Sequence, residues 1–154
     1  MTEIKDLIKK AIEIKDRAYA PYSNFHVACV VMTRDGKIFE GVNIENASYS
    51  PTLCAERNAL STAITEGEMD FSYIVIIGDS EYTYPCGVCR QFIREFADDN
   101  TKIIIAKDIE NYKTYTIDEL LPYSFSKKDL EWNQDLYPLW EGQMLVNQHL
   151  WKRF

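Results

Sequence analysis

The sequence predicts an α/β fold, a three-layer α/β/α sandwich around one mixed sheet of about five strands. Two patterns lead to this prediction: a β-hairpin signal occurs early in the chain, and two strand-and-helix units follow it. A length of 154 residues with 46% hydrophobic residues suits one compact core. Because sequential strands joined through helices lie side by side in one sheet, helices are expected on both of its faces.

The first element is predicted to be an amphipathic helix. Its apolar residues recur every three or four positions, with Lys, Asp and Glu between them, at Ile4, Leu7, Ile8, Ala11 and Ile12. This is the spacing of a surface helix that covers a core with one face.

A β-hairpin is predicted next. The segment PYSN interrupts the chain before an apolar run over residues 25–33, and Asp35 with Gly36 supplies a turn signal before KIFEGVN. Cys29 stands alone inside the apolar run. A cysteine in that setting is expected to be a small buried core residue.

Two strand-and-helix units follow the hairpin. We predict a helix around 54–66, a strand at 73–78, a helix around 86–97 and a strand at 102–106. Farther on, the sequence TIDE has the form of a capping box, and Pro122 would end the short helix that starts there.

Domain organisation is predicted from a change in composition. Residues 1–131 would form the main domain, and residues 132–154 an aromatic-rich extension that contains all three tryptophans. Such a segment is expected to pack on the core or on a neighbouring subunit. The alternative is that it covers the functional site and alters its selectivity.

Charge and terminal patterns restrict the class of protein. A net charge of −7 argues against binding along a nucleic-acid backbone, which relies on clustered Lys and Arg. The chain has no apolar run of membrane-spanning length, and its first residues do not resemble a secretory signal. We therefore expect a cytoplasmic protein, in which the four cysteines are reduced thiols.

Three of the cysteines have the placement of metal ligands. Cys86 and Cys89 are three residues apart at a predicted helix start, and Cys54 lies in the first turn of another predicted helix. Exposed N–H groups at a helix start favour thiolates, which are good zinc ligands. Structural zinc sites usually have four protein ligands, so three ligands indicate a catalytic site with one open position. Cys29 as a fourth ligand is the alternative, and neither His26 nor His149 has a ligand-like spacing.

Glu56 lies two residues after Cys54, a rotation of about 200° on a helix, so its carboxylate is not expected to bind the same ion. It is better placed to exchange protons with a water in the open position. Alone, it would be interpreted as an ordinary surface glutamate. Together, CxE and PCxxC form the signature of zinc nucleobase deaminases.

Over residues 4–130 the chain resembles the small, homotetrameric class of cytidine deaminases. The resemblance rests on five segments that occur in order: AYAPYSNFHV, GVNIENASY, CAERNAL, PCGVCRQ and LLPYSF. It implies a cytidine deaminase-like fold, with the catalytic domain over residues 1–131.

The resemblance also implies roles for individual residues. Zinc would bind to Cys54, Cys86 and Cys89, and Glu56 would be the general acid and base. The residues implied to contact the substrate are Phe25, Asn43, Glu45, Tyr49, Ala55 and Phe125. Two of these, Tyr49 and Phe125, would reach into the sites of neighbouring subunits, with Phe125 stacking on the base.

Arg57 has a role that follows from charge. Zinc with three thiolates would carry one excess negative charge, which weakens it as a Lewis acid. An arginine that donates hydrogen bonds to the sulfurs would withdraw part of that charge. The alternative is a surface arginine on a helix.

The predicted function is zinc-dependent hydrolytic deamination of cytidine and deoxycytidine, by a homotetramer with one zinc per subunit. Its partner would be a small nucleoside, without nucleic acid or membrane. Three alternatives remain at this point: a related deaminase of a modified nucleoside, nucleotide or nucleoside antibiotic; a non-catalytic zinc-stabilised binding protein; and a redox pair formed by CGVC.

Overall fold

A computed structural model describes residues 2–130, and the predicted extension over 132–154 lies outside them. The elements in chain order are α1 (Thr2–Lys15), β1 (Val27–Thr33), β2 (Ile38–Val42), α2 (Ala55–Thr65), β3 (Phe71–Gly78), α3 (Gly87–Phe96), β4 (Lys102–Ala106), β5 (Tyr112–Tyr115) and α4 (Ile117–Leu120). The chain divides into two units, residues 1–124 and 125–154, and the second contains a 3-10 helix over Lys127–Leu130.

The five strands form one sheet in the order β2-β1-β3-β4-β5. Strands β3 and β4 are parallel, and the other three neighbouring pairs are antiparallel. The predicted mixed sheet is therefore confirmed. The strand predicted at 102–106 has the same limits as β4. Strand β5 was not located from the sequence, because the four residues YKTY are partly exposed and show no apolar alternation.

Alternate residues of the strands face two separate hydrophobic clusters. On one face of β1, Ala28 and Val30 pack in a cluster with α1. On the other face, Cys29 and Val31 pack in a cluster with α2 and α3. The sheet thus has helices on both faces, as predicted, and Cys29 is a fully buried core residue.

Gly41 on β2 allows α2 to lie directly against the sheet. A Cβ atom at this position would stand 2.3 Å from the backbone nitrogen of Ala59 and 2.7 Å from the carbonyl oxygen of Ala55. Both neighbours are backbone atoms of α2, which cannot move aside without shifting the helix. Gly41 therefore sets how closely the start of α2 approaches the sheet.

Replacing Gly41 with alanine is expected to lower the free energy of unfolding by about 3 kcal/mol, because overpacking against a helix backbone forces a displacement of that helix. Gly87→Ala is the matched control, since a Cβ atom at Gly87 would meet no atom within 4 Å. Urea unfolding of both variants checks the prediction. Equal stability of the two variants would contradict it.

Within residues 2–130, none of the helices has the length and apolar character needed to span a membrane.

Candidate active site

The first residues of α2 and α3 bring the three predicted ligand cysteines together. Cys54 and Cys86 are the N-cap residues of the two helices, each with an extended backbone, and neither side chain forms a capping hydrogen bond. Cys54 was predicted to lie in the first turn of its helix. It instead lies just before that turn, as the N-cap residue of α2. Cys89 is the third residue of α3, so its side chain and that of the cap residue Cys86 lie at the same helix end.

The ligand atoms of Cys54, Cys86 and Cys89 all lie within 4.8 Å of one another, and the sulfurs of Cys54 and Cys86 are 4.0 Å apart. A tetrahedral zinc ion with Zn–S distances near 2.3 Å needs its sulfurs about 3.8 Å apart. The thiols therefore fit zinc after a small closure. Cys29 is not in this group, and burial raises the pKa of its thiol well above its usual range.

The cluster favours negative charge on the sulfur of Cys54. A hydrogen bond from Cys89 lowers the pKa of Cys54 to about 5, with a further contribution from Arg57. The pKa of Cys89 is raised, because its proton is held in the hydrogen bond to Cys54 and because the thiol is desolvated. The hydrogen bond thus favours a thiolate at Cys54 and a thiol at Cys89. A divalent cation would replace the thiol protons.

Arg57 makes the hydrogen bond to sulfur that the charge argument predicted. Its Nη2 donates to the Sγ of Cys54 over 3.8 Å and to the carbonyl oxygen of Thr52 over 3.1 Å. Its Nε is buried and has no acceptor among the described residues. The guanidinium therefore has a donor left for additional negative charge in the cluster.

Glu56 is a buried carboxyl group beside the thiols of Cys54 and Cys89. Only 4% of the residue is exposed, although it occupies the second position of α2. Desolvation raises the pKa of Glu56, and the charge of Cys54 adds to this shift. A carboxyl group with a raised pKa can both accept and return a proton near neutral pH.

Asn43 uses its amide to join two strand ends. Its Oδ1 accepts a hydrogen bond from the Val27 N–H over 2.8 Å, and its Nδ2 donates to the Phe25 carbonyl over 2.8 Å. Residues of the GVNIEN segment thereby fix the backbone on either side of His26.

Glu45 binds the turn before β1. Its carboxylate accepts hydrogen bonds from the backbone N–H groups of Tyr22 and Ser23, over 2.8 and 3.2 Å, and from the Ser23 hydroxyl. The hydrogen bond from Ser23 is the main cause of the lowered pKa of Glu45. Glu45 is thus held as a carboxylate next to the segment that contains Phe25.

Comparison with known proteins identifies the family. Residues 1–106 match the family described as cytidine and deoxycytidylate deaminase zinc-binding region. The chain belongs to this deaminase family. Cytidine deaminase from Halalkalibacterium halodurans is 41% identical over 80% of this chain and 95% of its own length. A probable cytidine deaminase from Dictyostelium discoideum is 41% identical over 83% of this chain and 87% of its own length.

A solved structure supports the same family. The crystal structure of cytidine deaminase from Burkholderia pseudomallei has a TM-score of 0.74 at 37% identity, covering 78% of this chain and 97% of that one. The predicted α/β fold, the hydrolytic deaminase class and a zinc-binding region are therefore confirmed.

The remaining deaminase positions predicted from the resemblance differ in their surroundings. Ala55 is buried at the first position of α2, between Cys54 and Glu56. Tyr49 is exposed, has a left-handed backbone with φ of 58°, and packs edge-on against Tyr22. Phe125 belongs to the second unit of the chain and is exposed.

Asp79 is a residue of this deaminase that the sequence analysis missed. Its carboxylate accepts hydrogen bonds from the backbone N–H of His26 over 2.7 Å and from Lys15 over 2.6 Å, and it contacts the His26 Nδ1 at 2.9 Å. Asp79 thereby fixes the residue that follows Phe25. The only sequence signal was an acidic residue directly after a buried strand.

Acid should remove the contribution of Asp79 to stability. The ammonium of Lys15 is the main cause of the low pKa of Asp79, which is about 2. Since the folded pKa lies below the unfolded one, the contribution is complete above about pH 4 and is lost as the pH falls through about 2. Asp79→Asn is expected to cost about 1–2 kcal/mol at pH 6.5, after allowance for solvent screening of a partly exposed group.

Urea unfolding of metal-free protein at pH 6.5 and pH 3 measures this effect. The difference between wild type and variant should shrink at the lower pH. The exposed Asp99→Asn serves as control, and a penalty for Asp79→Asn that is unchanged at pH 3 would contradict the argument.

Proposed function

We propose that the protein catalyses hydrolytic deamination of cytidine and deoxycytidine, giving uridine or deoxyuridine and ammonia. The observation that carries the proposal is the buried carboxyl group of Glu56 beside Cys54 and Cys89, two members of a group of three thiols within 4.8 Å of one another. Similarity to proteins named cytidine deaminase supports the choice of substrate. A non-catalytic zinc protein would have no use for a desolvated acid next to its ligands.

Zinc in this site would be held by Cys54, Cys86 and Cys89. When bound, it supplies the Lewis acidity that lowers the pKa of a coordinated water to about 7. Arg57 offsets the excess charge of the thiolates through its hydrogen bond to Cys54. Because these ligands must be reduced thiols, we further propose a cytoplasmic location.

Glu56 would carry the protons of the reaction. Its carboxylate accepts a proton from the attacking water and donates it to ring nitrogen N3, while the water oxygen bonds to C4. Glu56 then takes the second proton of that oxygen and delivers it to the exocyclic amino group, which leaves as ammonia. Water and cytidine are consumed, and the carboxylate returns to its initial state.

The ribose would contact Asn43 and Glu45, near Phe25. Three hydrogen bonds to the Glu45 carboxylate leave acceptor capacity for one sugar hydroxyl, and Asn43 retains one N–H and one lone pair. A carboxylate in this position would repel a nucleotide phosphate. Ala55 would line the pocket beside the base.

We propose a homotetramer in which Tyr49 and Phe125 complete the sites of neighbouring subunits. Tyr49 is 72% exposed and Phe125 59% exposed, so both side chains are accessible to a neighbouring subunit. Sedimentation equilibrium is expected to give four chains per particle. A monomeric protein with full activity would contradict shared sites.

The decisive experiment is product analysis on zinc-loaded protein. Cytidine, deoxycytidine, cytidine monophosphate and deoxycytidine monophosphate are each incubated with enzyme, and uracil products and ammonia are quantified. We expect turnover of the two nucleosides, with nucleotides at least about tenfold slower because of the repulsion by Glu45. Turnover of none of the four would refute the proposal, and faster turnover of a nucleotide would refute the nucleoside preference.

We also propose that the catalytic domain comprises residues 1–131 and that residues 132–154 are an extension that packs on the core or on a neighbouring subunit. In support, the chain is longer than the relative from H. halodurans, which covers only 80% of it. Truncation after residue 131 should lower the melting temperature without changing the relative rates on the four substrates. A changed ratio would instead indicate that the extension covers the site.

A further inference from the structure

Arg90 connects the turn that carries a predicted zinc ligand to another helix. Its backbone N–H donates to the Cys86 carbonyl over 2.9 Å, and its Nε donates to the Pro85 carbonyl over 2.8 Å. Its Nη1 donates to the Leu120 carbonyl at the end of α4 over 2.6 Å. One residue thus binds three carbonyl groups, two at residues 85–86 and one at Leu120, which lies 30 positions after Arg90.

The two carbonyls bound by the Arg90 side chain lack partners in regular structure. The Pro85 carbonyl precedes the N-cap of α3, so it lies outside the helical hydrogen-bond ladder, and Pro85 is buried. The Leu120 carbonyl ends a helix of four residues, where no following helical N–H group exists. Buried carbonyls need donors, and a guanidinium can supply two at once in a fixed planar geometry.

The position of the Cys86 sulfur depends on this turn. Cys86 is exposed, and its side chain makes no capping hydrogen bond. Its sulfur must nevertheless lie within about 4 Å of two other sulfurs to complete a tetrahedral site. The backbone on both sides of its Cα atom is therefore the main restraint on its location. The Arg90 side chain binds the Pro85 carbonyl on one side, and the ordinary helical N–H of residue 90 binds the Cys86 carbonyl on the other.

We infer that Arg90 is a positioning residue for the metal site, which fixes the Pro85–Cys86 turn against α4 and so preorganises the Cys86 ligand. This inference rests on the proposed zinc-dependent function. It assigns Arg90 no contact with substrate or metal. Lysine cannot replace it fully, because one ammonium group cannot reach both carbonyls in the same fixed geometry.

Arg94 provides a matched control on the same helix. It lies one turn farther along α3, and its Nη1 donates to the carboxylate of Asp118 on α4 over 2.6 Å. Both arginines thus join α3 to α4. Only Arg90 contacts the turn that carries Cys86.

The test compares Arg90→Gln, Arg90→Lys and Arg94→Gln in the full chain. Zinc affinity is measured by competition with a chromogenic chelator, and folding by urea unfolding of metal-free protein. We expect Arg90→Gln to bind zinc at least about tenfold more weakly, the usual effect of removing a group that orients a metal ligand. The zinc affinity of Arg90→Lys should fall between those of Arg90→Gln and the wild type. Arg94→Gln should retain wild-type affinity within about twofold.

Cobalt(II) substitution adds a readout of geometry, because its absorption spectrum reports tetrahedral sulfur coordination. The spectrum should change in the Arg90 variants and not in Arg94→Gln. Unchanged zinc affinity in Arg90→Gln would overturn the inference, as would an equal loss in Arg94→Gln. If Arg90→Gln does not fold, wild-type affinity in Arg90→Lys overturns it. Failure of wild-type protein to bind zinc would refute the proposed function instead.

Discussion

Replacing Glu56 with alanine or glutamine is expected to lower kcat by roughly 10³-fold while zinc remains bound at one ion per chain, because a positioned acid–base group contributes about 10²–10⁴-fold. Glutamine preserves the volume of the buried side chain but cannot exchange a proton. The two variants therefore separate proton transfer from packing. The measurements are steady-state kinetics with cytidine and elemental analysis of the purified protein.

The matched control is Glu66→Gln at the other end of α2, where the side chain is exposed. It should retain wild-type kcat. A Glu56 variant with more than a tenth of the wild-type rate would remove Glu56 from the mechanism. Loss of zinc along with activity would show that its effect is on the metal site.

Replacing Cys86 with alanine is expected to abolish zinc binding and activity together, since two sulfurs and water make a much weaker zinc site. At a zinc concentration 100 times the dissociation constant, binding stabilises the wild type by about 2.7 kcal/mol, so its melting temperature should rise by about 5–10 °C. The variant should show no such rise. Differential scanning fluorimetry with and without zinc, together with metal analysis, checks both effects.

Cys29→Ala is the control for this experiment, because Cys29 lies in the core cluster and outside the group of three thiols. It should retain zinc and the zinc-dependent rise in melting temperature, with a modest loss of stability from the removed sulfur. Loss of zinc in Cys29→Ala would instead favour a closed site with four cysteines. That outcome would contradict a catalytic metal centre.

Much of the fold could be predicted because its signals are local. The apolar stripe of α1, the turn at Gly36, the strand KIIIA and the capping box at Thr116 each depend on neighbouring residues, and the structure contains all of them. Strand β5 was missed because it depends on pairing with β4, which residues 112–115 do not encode in their own pattern.

In the candidate site, the grouping of the three cysteines was also predicted from the sequence. The spacings of Cys86 and Cys89, and of Cys54 and Glu56, indicated which residues belong together. Both pairs lie at a helix start, although Cys54 and Cys86 are N-cap residues with an extended backbone and not part of the helices. The contacts of Asn43 and Asp79 with the backbone around His26 were not predictable. These contacts are between residues that are distant in sequence.

The sequence by itself indicated the chemistry that we propose for this protein: three cysteines, an acid and an arginine in the order CAER and PCGVC. Tertiary structure alone decided that two helix starts separated by 32 positions bring their sulfurs to 4.0 Å, and that Glu56 is buried. It also decided that Gly41 allows α2 to pack closely against the sheet, and that Arg90 joins the Pro85–Cys86 turn to α4. The reason is physical: residue types and helical periodicity are local properties, whereas close approach and desolvation arise only when distant segments pack together.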